Sequence, residues 1–87
     1  MRILLVEDNL SLAEGLTALL RQSGYAVDVV HDGASAEALA AAESFDLVIL
    51  DLNLPQMDGL EVLRAMRARR NPAAVMILTA RGAPEER

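Results

Sequence analysis

Three short apolar runs in this sequence each end in a polar side chain able to do chemistry. Ile3-Leu4-Leu5-Val6 runs into Glu7-Asp8, Leu47-Val48-Ile49-Leu50 into Asp51, and Val75-Met76-Ile77-Leu78 into Thr79. Unbroken apolar runs of this length suit strands buried on both faces. If the strands are parallel, their carboxyl ends lie along one edge of a sheet, where open α/β folds bind ligands. Glu7, Asp8, Asp51 and Thr79 then converge on one site. Taken singly, each aspartate reads as readily as the cap of a loop, and Thr79 as an ordinary strand residue. Together on one edge they read as a site.

Few reactions suit such a group. Crowded carboxylates raise one another's pKa values unless a cation joins them. A hard divalent ion with oxygen ligands meets that need, and Mg²⁺ requires only a couple of carboxylates together with water and a phosphate oxygen. The ion also neutralises an incoming phosphoryl group and leaves one carboxylate free as a nucleophile. Thr79, a hydroxyl at the next strand end, is suited to hydrogen-bond a phosphoryl oxygen.

The elements that must position these groups are legible from apolar spacing and punctuation. Asn9 or Ser11 can cap a first helix, on which Leu12, Leu16, Leu19 and Leu20 recur at helical spacing until Gly24 stops it. Tyr25 to Val30 is a β-branched run interrupted by Asp28, which predicts a strand at a sheet edge. Asp32-Gly33 is a turn or cap, and Ala34 to Glu43 predicts a second helix with Ala38, Leu39 and Ala42 on one side. After Asp51 the loop carries Pro55 and Asp58-Gly59, and no helix continues from the strand through that proline. Leu60, Val62, Leu63 and Met66 mark a third helix, ended by Asn71-Pro72. Its last turns carry Arg64, Arg67, Arg69 and Arg70, cations that complement the helix dipole and read as a solvated helix end. Pro84 with Glu85 and Glu86 has the composition of a helix start. The order β-α-β-α-β-α-β implies parallel pairing with right-handed crossovers, in one domain over residues 1–87.

Composition narrows the function classes. At 87 residues and 53% hydrophobic, the chain can build one core, made of aliphatic residues because Tyr25 and Phe45 are the only aromatics. A net charge of −5 argues against nucleic-acid binding by this segment, since neutralising phosphates needs a basic surface. There is no cysteine, hence no disulfide framework or thiolate metal site. No apolar run approaches the ~20 residues of a membrane span, and a cytoplasmic protein is expected. All eight basic residues are arginine.

Leu4-Leu5-Val6-Glu7-Asp8-Asn9, then Asp46 to Gly59, then Ile77-Leu78-Thr79-Ala80 together resemble the receiver domain of bacterial two-component response regulators. The phrasing from Leu47 to Arg64 most resembles the OmpR/PhoB-type transcription regulators. The resemblance spans the whole chain with three motifs in order. It implies a flavodoxin-like parallel sheet with helices on both faces, in strand order 2-1-3-4 for the strands present, continuing to a fifth in a complete domain. It further implies that Asp51 accepts a phosphoryl group from a sensor histidine kinase. Glu7 and Asp8 become the acidic pair for Mg²⁺, with Asp51 and the Asn53 carbonyl completing the protein ligands. Thr79 becomes the switch hydroxyl with small Ala80 beside it, and Pro55, Asp58 and Gly59 shape the loop at the rim. Such a domain is a regulatory phosphoacceptor rather than an enzyme with turnover, although complete receivers assist their own phosphorylation. Its parent is expected to be a DNA-binding transcription regulator.

The sequence departs from the family pattern in one respect that matters. The family's fifth strand carries a lysine that pairs with the phosphoryl group, and this sequence has no lysine and reaches Arg87 soon after the fourth apolar run. The expectation is a partial receiver lacking the fifth strand and fifth helix, impaired in switching. Val75 to Ala80 would then be an exposed apolar edge, inviting self-association, and the sheet face near Leu4, Val48 and Ile77 or their neighbours would be wet. An interaction fragment that assembles without phosphorylation is one alternative. The other is an aspartate-nucleophile phosphatase, against which Asn53 stands where a second acid would be needed.

Overall fold

The computed structural model describes residues 1–78. Seven elements alternate: β1 (Arg2–Val6), α1 (Leu10–Gln22), β2 (Ala26–Val30), α2 (Gly33–Ala42), β3 (Leu47–Asp51), α3 (Gly59–Ala68) and β4 (Ala74–Leu78). The strands form one parallel sheet in the order β2-β1-β3-β4, so the chain reverses its direction of winding between β1 and β3. Register is regular: Leu5 lies opposite Val29 and Ile49, and Asp51 opposite Leu78. This is the doubly wound α/β architecture that the alternation implies. As the interrupting charge predicted, β2 is an edge strand. Its Asp28 is paired with Arg2 at 2.7 Å.

Because side chains alternate along a strand, each strand feeds two separate cores. Leu4, Val6, Val48 and Leu50 project to one face and meet Ala36 and Ala40 of α2 and Val62 and Met66 of α3. Ile3, Leu5, Val27 and Ile49 project to the other and meet α1 through Ala13, with Leu16 and Leu20 at the margin. Leu4, Leu5, Val48 and Leu50 are fully buried. The face expected to be wet near Leu4 and Val48 is therefore the well-covered one. On β4 the expectation is met, with Ile77 36% and its neighbour Met76 49% exposed. Two helices shield the first face, whereas α1 alone is described over the second.

Each helix begins and ends for a local reason. Asn9 caps α1, its side chain accepting from the Leu12 N–H at 3.0 Å. At the other end Gly24 takes φ 96°, and the Gly24 and Tyr25 amides return to the carbonyls of Arg21 and Leu20, closing a Schellman motif. Asp32 caps α2, and Asp58 with Glu61 forms a reciprocal capping box on α3. The stripe expected on α1 is half matched: Leu16 and Leu20 pack beside the core, but Ala13 and Thr17 are the buried positions facing the sheet, while Leu12 is 45% and Leu19 62% exposed. Small residues let the helix approach closely, and the leucines flank the contact. On α2 the buried positions are Ala36 and Ala40, with Ala38 and Ala42 exposed, because a run of alanines offers no apolar contrast from which to read the phase. Leu60 of α3 is likewise exposed beside buried Val62 and Met66. Among the described residues no helix is long and apolar enough to cross a membrane. Thr79, Ala80 and the expected helix start at Pro84 lie outside the described residues.

Candidate acidic site at the carboxyl edge of the sheet

Adjacent pairing of β1 and β3, with Val6 opposite Leu50, brings the residues that follow these strands to the same edge. Glu7, Asp8 and Asp51 each offer a carboxylate oxygen, and the three atoms lie within 4.8 Å of one another. They differ in environment. Glu7 is only 3% exposed, Asp51 is half-buried and Asp8 faces solvent. Burial pushes the Glu7 carboxyl above its ordinary pKa, and the charges of Asp51 and Asp8 push the same way, against the Asn9 amide that donates to it at 3.1 Å. Among the described residues no basic side chain forms an ion pair with any of the three. A buried acid beside two further carboxylates is an arrangement that a hard cation with oxygen ligands would relieve, so the donor set fits a divalent metal.

The loop after β3 wraps around Asp51. The Asn53 amide donates to the Asp51 carboxylate at 3.0 Å, and the Gly59 amide donates to the Leu52 carbonyl at 3.2 Å. Gly59 passes so close that a Cβ there would lie 2.6 Å from the Asp51 carbonyl oxygen, which explains why a glycine opens α3. Between them the Met57 amide donates to the Pro55 carbonyl across Gln56, whose φ of 72° is the mark of a tight three-residue turn. Asp58 looks outward and caps α3. Of the residues singled out in the sequence, Glu7, Asp8, Asp51 and the Asn53 to Gly59 loop thus share one edge. Leu78 lies opposite Asp51, and Thr79 and Ala80 fall outside the described residues.

The sequence marks Asp32-Gly33 after β2 as a turn or cap but gives it no place at the site. His31 donates from Nδ1 to the Glu7 carbonyl at 2.9 Å, and the Gly33 amide donates to the Pro55 carbonyl at 3.3 Å. The one available signal was position: these residues also follow an apolar run and so belong to the same sheet edge.

An acidic cluster at the switch point of a parallel sheet with helices on both faces defines a class: doubly wound α/β domains whose ligand site lies at the carboxyl edge. Comparison with known proteins gives the family. Residues 3–87 match the response regulator receiver domain, and the chain belongs to that family. The transcriptional regulatory protein TctD of Salmonella typhimurium, an OmpR/PhoB-type regulator, is 48% identical over 87 residues, which are 100% of this chain and 39% of TctD. The chain therefore spans about two-fifths of the length of this curated relative. Among solved structures, the response regulator TrrA of Thermotoga maritima, in complex with Mg²⁺-BeF, superposes with a TM-score of 0.86 at 37% identity, covering 91% of this chain and 69% of that one. The receiver domain of sensor histidine kinase PA1611 from Pseudomonas aeruginosa, with a magnesium ion coordinated in its active-site cleft, gives 0.86 at 38% identity, covering 97% and 70%.

Proposed function

We propose that this receiver domain accepts a phosphoryl group on Asp51 from the phosphohistidine of a sensor histidine kinase, as a step in two-component signal transduction. The observation that carries the reading is the three-carboxylate cluster built around half-buried Asp51. In the reaction a carboxylate oxygen of Asp51 attacks phosphorus, the P–N bond to the kinase histidine breaks, and an acyl phosphate remains. Glu7, Asp8, Asp51 and the Asn53 carbonyl would hold Mg²⁺. When bound, the ion supplies positive charge against the carboxylates and the phosphoryl oxygens. Glu7 stays buried and reinforces the negative field, Asp8 reaches from the solvent side, and the Asn53 amide orients the Asp51 carboxylate for attack. Thr79, with Ala80 beside it, is assigned the switch hydroxyl that answers the added charge of roughly −1.5 to −2. Pro55, Asp58 and Gly59 fix the rim. The domain is thereby regulatory and cytoplasmic, binds neither nucleic acid nor membrane through this segment, and belongs to a DNA-binding transcription regulator.

Mass spectrometry after incubation with Mg²⁺ and a small acyl-phosphate donor tests the assignment. One phosphoryl group should add to the protein and none to Asp51→Asn. In parallel, Mg²⁺ with beryllofluoride should shift the amides of Asp8, Asp51 and Asn53. Equal phosphorylation of the two proteins would place the acceptor elsewhere.

A second reading has its own support. β4 is an edge strand among the described residues, its sequence Ala-Val-Met-Ile-Leu carries no charge, and Met76 and Ile77 are exposed. Natural sheets guard such edges with charges, bulges or proline. The exposed edge of β4 (Ala74–Leu78) accordingly pairs with a second copy of the 87-residue chain, making the domain self-associating. Light scattering should give a dimer or larger species, and Met76→Lys should shift it to monomer; a wild-type monomer would refute this reading.

A further inference from the structure

We infer that the turn His31-Asp32-Gly33 is a bracket that positions the two halves of the acidic site, with Gly33 as its positioning residue. The inference rests on the reading of this edge as a Mg²⁺ and phosphoacceptor site. One half of that site follows β1 and carries Glu7 and Asp8. The other follows β3 and carries Asp51 and the Asn53 carbonyl. The turn after β2 touches both. On the β1 side His31 Nδ1 donates to the Glu7 carbonyl at 2.9 Å, and the Glu7 amide donates to the Val30 carbonyl at 3.1 Å. On the β3 side the Gly33 amide donates to the Pro55 carbonyl at 3.3 Å.

Beside the second contact the backbone of Gly33 passes unusually close to Met57, and that explains the residue type. A Cβ on Gly33 would overlap the Met57 carbonyl oxygen and come within 2.6 Å of the Met57 carbonyl carbon and 2.8 Å of its Cβ. The atoms it would strike are mostly backbone, so no side-chain rotation relieves the overlap. Gly33 has no positive φ to explain it as a turn glycine, whereas Gly24 does. Closeness to the loop is the remaining reason for glycine here. The turn itself is rigid, because Asp32 accepts from both the Ser35 amide at 2.7 Å and the Ser35 hydroxyl at 3.0 Å. A fixed turn bonded to Glu7 and pressed against residues 55–57 sets the distance at which the Asn53 carbonyl stands from the carboxylates. A metal with a strict octahedral preference is sensitive to that distance.

Mg²⁺ titration of Gly33→Ala, followed by backbone amide shifts of the 87-residue chain, tests the proposal. Its affinity should fall about tenfold to a hundredfold, the range seen when groups supporting metal ligands are removed. Gly15→Ala is the matched control, since a Cβ there meets nothing within 4 Å; its affinity should equal wild type. Unchanged affinity in folded Gly33→Ala would overturn the bracket, whereas failure of the wild type to bind Mg²⁺ would overturn the site reading beneath it. Hydrogen exchange on the wild type covers the case in which Gly33→Ala does not fold. Mg²⁺ should protect the Gly33 amide together with those of Met57 and Gly59, and protection of the latter two alone would refute the inference.

Discussion

The two ends of the sheet handle acidic residues in opposite ways. At the amino end, Arg2 gathers carboxylates to itself. Its guanidinium bonds Asp28 at 2.7 Å and Glu43 at 2.8 Å while lying 4.6 Å over the Phe45 ring, and its amide bonds Asp46 at 2.7 Å. At the carboxyl end, Glu7, Asp8 and Asp51 crowd together without an ion-paired cation among the described residues. The same side-chain chemistry is balanced at one end and left in excess at the other. Balanced groups add modestly to the fold, and the unbalanced ones form a donor set that a divalent cation would fit.

The sharpest way to break this comparison is Asp8→Asn. Removing one of the crowded carboxylates should lower Mg²⁺ affinity at least about tenfold, measured by calorimetric titration. Metal-free stability should not fall and should rise slightly, because repulsion is relieved. A clear loss of stability in denaturant would mean that Asp8 is part of a balanced pair after all.

A pH series gives the next largest effect. Glu7 has its pKa raised in the folded state, chiefly by burial, so the native protein binds more protons than the unfolded one across that window. Metal-free stability is therefore greatest below the ordinary carboxylate pKa as far as this group is concerned, and is lost as pH rises through the raised value. Mg²⁺ affinity runs the other way, increasing over the same interval as the proton leaves. Urea melts from pH 4 to pH 8 should show this slope for wild type and a flatter one for Glu7→Gln.

Arg2→Ala should give the smallest effect. Its side chain and both ion-pair partners are half-exposed, where such pairs contribute little and are screened by salt. A small loss of thermal stability that shrinks with added salt, with Mg²⁺ affinity untouched, would keep the two ends independent. A change in Mg²⁺ affinity would join them.

Much of this was legible because strands buried on both faces leave an unmistakable apolar signature. Leu4 to Val6 and Val48 to Leu50 read directly as central strands, and the polar residues at their ends marked the edge that carries the site. Asp28 marked β2 as an edge strand for a sound reason, since one of its faces tolerates a charge. Helix phase was less legible. Thr17 rather than Leu19 faces the sheet on α1, because closeness of approach outweighed side-chain hydrophobicity, and the alanines of α2 gave no direction at all. The contacts of His31 and Gly33 could not be read, as they join segments more than twenty residues apart and their partners are backbone carbonyls, which every residue has.

By itself the sequence determined the order of elements and the chemical character of the sheet's carboxyl edge, because these depend on local spacing and on alternation along each strand. Tertiary structure decided which carboxylate is buried, how the cores divide between the two faces, and that the turn after β2 grips both sides of the acidic site. Those outcomes depend on which backbones come close to one another, and closeness is a property of the packed molecule.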